Sequence, residues 1–207
     1  MESVNLIKER RSINFFNASF ELAQDKLKEL LDLANLAPSS MNMQPWRVIA
    51  VKSPDRKKVL REIAFNQPKV EEASVVLIII ADPALLEKNM DAVLSNWAEL
   101  GYIKEEAKEK SKSSALYLYG EADSTISKIW AVKNASLFAM SVMFAAKALG
   151  LESHPMDGFD EEKVKKEFGI EERCVVPMLI ALGQINPGTK LLPRAMRRQV
   201  NEFVRFE

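Results

Sequence analysis

Two arginine-rich stretches stand at opposite ends of the chain. The first, ERRSINFF at 9–16, carries Arg10, Arg11, Ser12 and Asn14, and the second, LLPRAMRR at 191–198, carries Arg194, Arg197 and Arg198. A guanidinium grips phosphate oxygens through a planar fork of donors, and a hydroxyl adds a neutral donor. The two clusters therefore suit one phosphate held between the termini, although each alone is equally explained as solvated surface. A third group, APSSMNMQPW at 37–46, gathers Pro38, Ser39, Ser40 and Asn42. Its donors and acceptors suit a flat heterocycle with amide-like edges. Its two prolines restrict the unfolded chain, so ordering the loop costs less entropy. An ordinary structured loop reads the same way.

Other chemistries are poorly supplied. Cys174 is the only cysteine and His154 the only histidine. Such a pair cannot complete a zinc site of the usual ligand number, so no metal is expected, and no second histidine exists to activate a serine. A lone cysteine excludes an internal disulfide and fits a reducing compartment. Its apolar setting, CVVPMLIALG, predicts a buried, inert thiol. Lysine plus arginine and aspartate plus glutamate both total 29, for zero net charge. Wholesale attraction to nucleic acid or to anionic membrane therefore has no basis. The start, MESVNLIKERRS, has no apolar leader segment, and VVLIIIA is far shorter than the ~20 residues of a membrane helix. A soluble, cytoplasmic protein is expected.

The elements that must position these groups follow from periodicity. A chain of 207 residues, 47% hydrophobic, supplies the core of one domain spanning 1–207. Helices are predicted at 3–11 and 20–36, the second with Leu27, Leu30, Leu31 and Ala34 on one face and closed before Pro38. RVIAV (47–51) reads as a strand. Ser53 and Pro54 then open a helix as cap and first residue. ASVVLIIIA (73–81) is β-branched without alternation, the mark of a strand buried on both faces. Residues 84–120, polar from Glu99 to Lys112, read as exposed helix or a mobile lid, in which Trp97, Tyr102 and Tyr117 are packing residues or a cover for the site. From 124 to 149 runs a helix apolar nearly all round, hence central, with Gly150 as its terminal cap. An extended piece (Glu152–Met156), a short helix from Asp160 to Gly169 and a strand (174–183) follow. Pro177 predicts an edge or irregular position for that strand. Residues 199–206 read as a terminal strand or an arm. About four strands and five or six helices in mixed order make an α+β or α/β domain.

The segment order RRSINFF, LLDLANLAPSSMNMQPWRVIAV, AFNQPKVEEASVVLIII, KNASLFAMSVMFAAKALGLESHPMDGFD and VPMLIALGQ, with a basic tail, resembles the FMN-dependent nitroreductase family. Only about 84–130 goes unmatched. The resemblance implies an α+β, three-layer fold with a central mixed sheet flanked by helices. It also implies a homodimer with a C-terminal arm reaching the partner subunit, FMN as cofactor, and NADH or NADPH as reductant. Arg10, Arg11 and Ser12 match the family's phosphate and ribityl contacts, and Arg194 and Arg197 its second phosphate grip, with Arg198 adjacent as an alternative. Pro38, Ser39, Ser40 and Asn42 match a loop reaching the flavin bound mainly by the partner. Asn66 and Lys69 match contacts to the pyrimidine end of the ring, and Asn134 a position often held by glutamine. Asp157 and Gly158 match a turn whose backbone N–H points at flavin N5.

No side chain is then catalytic in its own right. Hydride chemistry belongs to FMN, supported electrostatically by Lys69 and the Gly158 backbone. A small electron-poor acceptor, such as a nitroaromatic or quinone, follows the nicotinamide into one site. The chain departs from the family at Asn14, where lysine or arginine is common, which leaves Lys69 as the cation beside the pyrimidine edge. Two alternatives stay open: a flavoprotein of the same fold with another reaction (dehalogenation, dehydrogenation or flavin breakdown), and a non-catalytic flavin-binding protein. Binding of nucleic acid through the arginine clusters conflicts with the zero net charge.

Overall fold

A computed structural model describes residues 3–207. Met1 and Glu2, where the stretch read as lacking an apolar leader begins, lie outside the described residues. In chain order the elements are α1 (Ser3–Glu9), α2 (Gln24–Ala34), β1 (Trp46–Val51), α3 (Pro54–Ile63), α4 (Lys69–Glu72) and β2 (Val75–Ala81). They continue with α5 (Leu85–Glu99), α6 (Lys108–Tyr119), α7 (Thr125–Ala148), β3 (Glu152–Met156), α8 (Glu161–Phe168) and β4 (Val175–Gly183). The strands form one sheet in the order β1-β2-β4-β3.

β2 lies inside this sheet and all seven of its residues are buried, as its unbroken apolar run requires. Val75, Leu77, Ile79 and Ala81 enter one apolar layer with Leu30 of α2, Met90 of α5 and Phe138 of α7. Val76, Ile78 and Ile80 enter the other, with Leu60 of α3, Val70 of α4 and Val164 of α8. Each such side chain contributes about 1.5–3 kcal/mol on burial. The result is α+β in three layers, helices on both faces of a sheet.

Two expectations are corrected and one open alternative is resolved. The sheet is antiparallel in every ladder, not mixed; parallel pairing is confined to an isolated bridge between Ser12 and Ser153. Of the two positions Pro177 allows, edge or irregular, β4 takes the second: it is an inner strand carrying an irregularity. Its Pro177 sits where the register with β2 shifts between Ile79 and Ala81, an irregularity that spares the ladder the missing N–H. Finally, 84–120 is not an exposed lid throughout, because α5 buries Leu86, Met90 and Leu94 in the main core, and α6 buries Ala115. The stretch between them and most of α6 face water, as the exposed-helix reading expected. Trp97 is half-buried against Tyr102, while Tyr102 and Tyr117 are exposed.

The termini of the helices follow their sequence signals. Ser124 Oγ accepts from Ser127 N–H at 3.1 Å to open α7, and Asp160 Oδ1 accepts from Lys163 N–H at 3.1 Å to open α8. Gly150 and Gly169 take left-handed φ of 75° and 64° just past the two helices. Among the described residues, α7 is long and apolar enough to cross a membrane, but most of its apolar stretch is buried against α2 and the sheet. It is the core helix of the fold.

Candidate functional site

The N-terminal segment after α1 is laid along the sheet by two apolar anchors, Ile13 and Phe16, both almost fully buried. Ile13 N–H donates to Ser153 O at 3.1 Å, and Asn17 N–H donates to Gln184 O at 2.8 Å. Gly183 permits this approach, because a Cβ there would lie 3.1 Å from the Phe16 ring and 3.3 Å from Ser74 N. The segment therefore presents Arg10, Arg11, Ser12 and Asn14 beside β3.

The C-terminal tail meets it there. Arg194 Nη2 donates to Lys8 O at 2.5 Å and to Arg10 O at 3.1 Å. In the reverse direction, Arg11 Nη1 donates to Leu192 O at 2.6 Å. Burial, together with the positive charges of Arg194 and then Arg197, pushes the Arg10 guanidinium below its usual pKa, with Glu152 a smaller opposing influence. Glu152 is itself engaged by Lys147 at 2.6 Å. Several arginines elsewhere have carboxylate partners: Arg47 with Glu171 and Asp82, Arg56 with Glu167, Arg61 with Glu71. Among the described residues, Arg10, Arg11, Arg194 and Arg197 have none. Arginines that stay charged at any physiological pH and repel one another form a place for an anion. Arg197, not Arg198, acts on Arg10; the Arg198 guanidinium lies 5.6 Å from the Phe203 ring centre.

Along the same edge, Lys69 Nζ donates to Asn14 Oδ1 at 2.8 Å and lies 3.1 Å from His154 Nε2. Burial lowers the Lys69 pKa. The chain preceding α4 carries Phe65 and Asn66 at φ of 53° and 58°, which turns Asn66 outward and exposes it. Gln67 Nε2 then donates to Gly158 O at 2.7 Å, joining this turn to the Asp157–Gly158 turn. The Gly158 amide has no acceptor among the described residues, and the residue is exposed. Thus Arg10, Arg11, Ser12, Asn14, Asn66, Lys69, Asp157, Gly158, Arg194 and Arg197 share one edge.

The remaining predicted residues form a separate group. Met43, fully buried, plugs the 37–46 loop into the main core. Ser39 Oγ accepts from Gln44 N–H at 2.9 Å, and Asn89 Nδ2 donates to Met43 O at 2.8 Å. Asn134, buried on α7, accepts from Ser40 N–H at 2.8 Å through Oδ1 and donates to Trp130 O at 2.7 Å through Nδ2. Its amide is thus spent inside the protein, holding the loop. Met41, Asn42 and Gln44 take φ of 53°, 55° and 49°. Pro38 and Asn42 stay exposed. No hydrogen bond among the described residues joins this loop to the arginine edge.

Sequence reasoning missed three contributors: His154, Gln67 and Asn89. His154 carried a signal, since it lies in the short strand that ends at Met156, just before Asp157. Gln67 and Asn89 carried none, because each acts on a main-chain carbonyl that only the fold brings near.

The chain matches the model of the nitroreductase family over residues 7–184. It is 31% identical over 205 residues to a Bacillus subtilis protein named as the NAD(P)H nitroreductase MhqN, covering 99% of this chain and 98% of that one. A crystal structure of the Bacillus subtilis nitroreductase ydfN superposes with a TM-score of 0.92 at 30% identity, covering 100% and 99% of the two chains. A second, a nitroreductase from Exiguobacterium sibiricum in complex with FMN, superposes at 0.88 with 25% identity, covering 100% and 98%.

Proposed function

The chain belongs to the nitroreductase family, and we propose that its arginine edge and the Lys69 cluster are where it holds FMN. It is an FMN-dependent NAD(P)H oxidoreductase of nitroreductase type, acting on nitro compounds. When bound, FMN supplies two-electron chemistry between a nicotinamide and an electron-poor acceptor. Quinones are acceptors of the same electronic class and belong to the proposal.

One observation supports the placement above the others: three guanidiniums from the two termini converge, and none of them is ion-paired with a carboxylate among the described residues; the nearby Glu152 is paired with Lys147. Such a cluster fits a phosphate dianion. Arg10, Arg194 and Arg197 hold the phosphate, with Arg11 clamping the tail that carries two of them. Ser12, exposed beside Arg11, adds a hydroxyl donor. Lys69 supplies a positive charge at the pyrimidine edge, with Asn14 and Asn66 as polar neighbours, and the free Gly158 N–H supplies a neutral donor beside Asp157.

This edge is open on a single chain, and the 37–46 loop lies apart from it. The reading that joins them is a homodimer in which Pro38, Ser39, Ser40 and Asn42 of one protomer, backed by Asn134, wall the flavin held by its partner. Exposed apolar side chains support it. Ile126, Ile129 and Leu137 project from α7, Leu33 and Leu36 lie at the end of α2, and Leu192, Met196, Val200, Phe203 and Phe206 line an outstretched tail. An apolar face of this extent on one chain marks an interaction surface. The tail is an arm with a single 3-10 turn at Val200–Glu202, not a strand. Residues 1–207 are treated as one domain because both apolar layers share the same sheet, and a cytoplasmic setting completes the proposal.

The test is spectroscopic. The purified protein should be yellow, should bleach anaerobically with NADH or NADPH, and should recover its colour on addition of a nitroaromatic. A coloured protein that neither nicotinamide bleaches would instead support the non-catalytic reading.

A further inference from the structure

An ammonium has three protons to donate. Lys69 Nζ has two acceptors in the structure, Asn14 Oδ1 at 2.8 Å and His154 Nε2 at 3.1 Å. The other imidazole nitrogen, His154 Nδ1, lies 3.0 Å from Ile13 O. A carbonyl only accepts, so Nδ1 carries the ring proton and Nε2 is left as a lone-pair acceptor for Lys69. The tautomer is fixed from behind. Its anchor, Ile13, is itself fixed, 1% exposed and bonded through its N–H to Ser153 O on the strand that carries His154.

We propose that His154 is the positioning residue for Lys69. With Asn14 it engages two of the three ammonium protons, and it aims the third at the pyrimidine edge of the flavin. The proposal rests on the reading of Lys69 as a flavin contact and goes beyond it, because His154 itself need not touch the cofactor. The imidazole must stay neutral to act this way. Burial, and then the Lys69 charge, hold its pKa down to about 4 against a small opposing pull from Ile13 O. The charged group from α4 that faces the ring is Lys69, and the N-terminal segment meets it with the uncharged Ile13 carbonyl and, through Lys69, the Asn14 amide. On its own strand, Glu152 is committed to Lys147.

The chain has one histidine, so the test is clean. Long-range proton–nitrogen NMR of the FMN-loaded protein should show one imidazole, neutral with the proton on Nδ1, and unprotonated at Nε2 down to about pH 4. In Lys69→Met the onset of protonation should move up toward the ordinary histidine range. The midpoint potential of the bound flavin should fall in His154→Leu in the same direction as in Lys69→Met, and His154→Gln, which keeps an acceptor, should recover most of the shift. A proton on Nε2, or a His154→Leu potential equal to wild type while Lys69→Met shifts, overturns the positioning role. If Lys69→Met shifts no potential although the tautomer is as stated, the flavin reading of Lys69 fails and the proposal falls with it, for a separately identifiable reason.

Discussion

Arg194 donates from Nη2 to the main-chain carbonyl of Arg10 at 3.1 Å, across 184 positions of sequence. The bond does more than tie down a tail. It places the Arg194 guanidinium against the segment that carries Arg10, where their charges repel, and Arg11 closes the clasp by donating to Leu192 O. Like charges brought together by main-chain hydrogen bonds are stabilised further by an anion placed between them.

Asn134 is a buried polar group with both ends of its amide satisfied, so its removal strands the Ser40 N–H and the Trp130 carbonyl interaction. Losing a buried partner of this kind costs roughly 1–3 kcal/mol. Asn134→Ala should lower the melting temperature and speed proteolysis within 37–45. Unchanged cleavage in that loop would show that α7 does not hold it.

Much of the fold was legible because its signals are local. The unbroken apolar run of β2, the Ser53, Ser124 and Asp160 caps and the glycines after α7 and α8 each state their structure within a few residues. The position of β4 was not legible. Pro177 reads as the signal of an edge or of an irregularity, and only the register shift opposite Ile79 decides for the second. The amphipathic core face of α5 was hidden by the polar stretch that follows it. In the site, arginines and the loop declared themselves by type and clustering, whereas the spent amide of Asn134 and the imidazole behind Lys69 depend on contacts 94 and 85 residues apart.

Arg47 holds the Glu171 carboxyl down to about 2, with help from the chain's own amide and from Arg173. A depressed carboxylate pKa contributes stability that is complete above the ordinary value of about 4.5 and is lost as pH falls from there toward 2. Both side chains are about 40% exposed, so solvent screening keeps the effect modest. Thermal melts of Glu171→Gln should be less steeply pH-dependent than wild type below pH 4.5. An identical acid limb would remove this pair from the account.

Ile129 is 64% exposed near the start of α7, on the helix that also exposes Ile126 and Leu137. A charge there would be buried without a partner in the proposed dimer, a penalty of several kcal/mol. Ile129→Glu should sediment as a monomer and release flavin on dilution, and deletion of 199–207 should weaken the dimer in the same assay. A dimer unaffected by both changes would place the interface elsewhere.

Asn14 supplies Lys69 with an acceptor, not a second charge. If the flavin lies as proposed, a cation introduced there stabilises negative charge at its pyrimidine edge. Asn14→Lys should therefore raise the midpoint potential of the bound flavin, read by anaerobic dye equilibration. A potential that stays or falls would separate position 14 from the ring.

The most direct measurement compares FMN with riboflavin, which lacks only the phosphate, for binding to the flavin-stripped protein. Hydrogen bonds from charged groups contribute about 1.5–3 kcal/mol each, and 1.4 kcal/mol is tenfold in affinity. Wild type should prefer FMN by roughly 100-fold or more, and Arg194→Met should lose at least about tenfold of FMN affinity while binding riboflavin as before. Equal affinities for the two flavins, or a variant that weakens both alike, would contradict a phosphate held between the two ends of the chain.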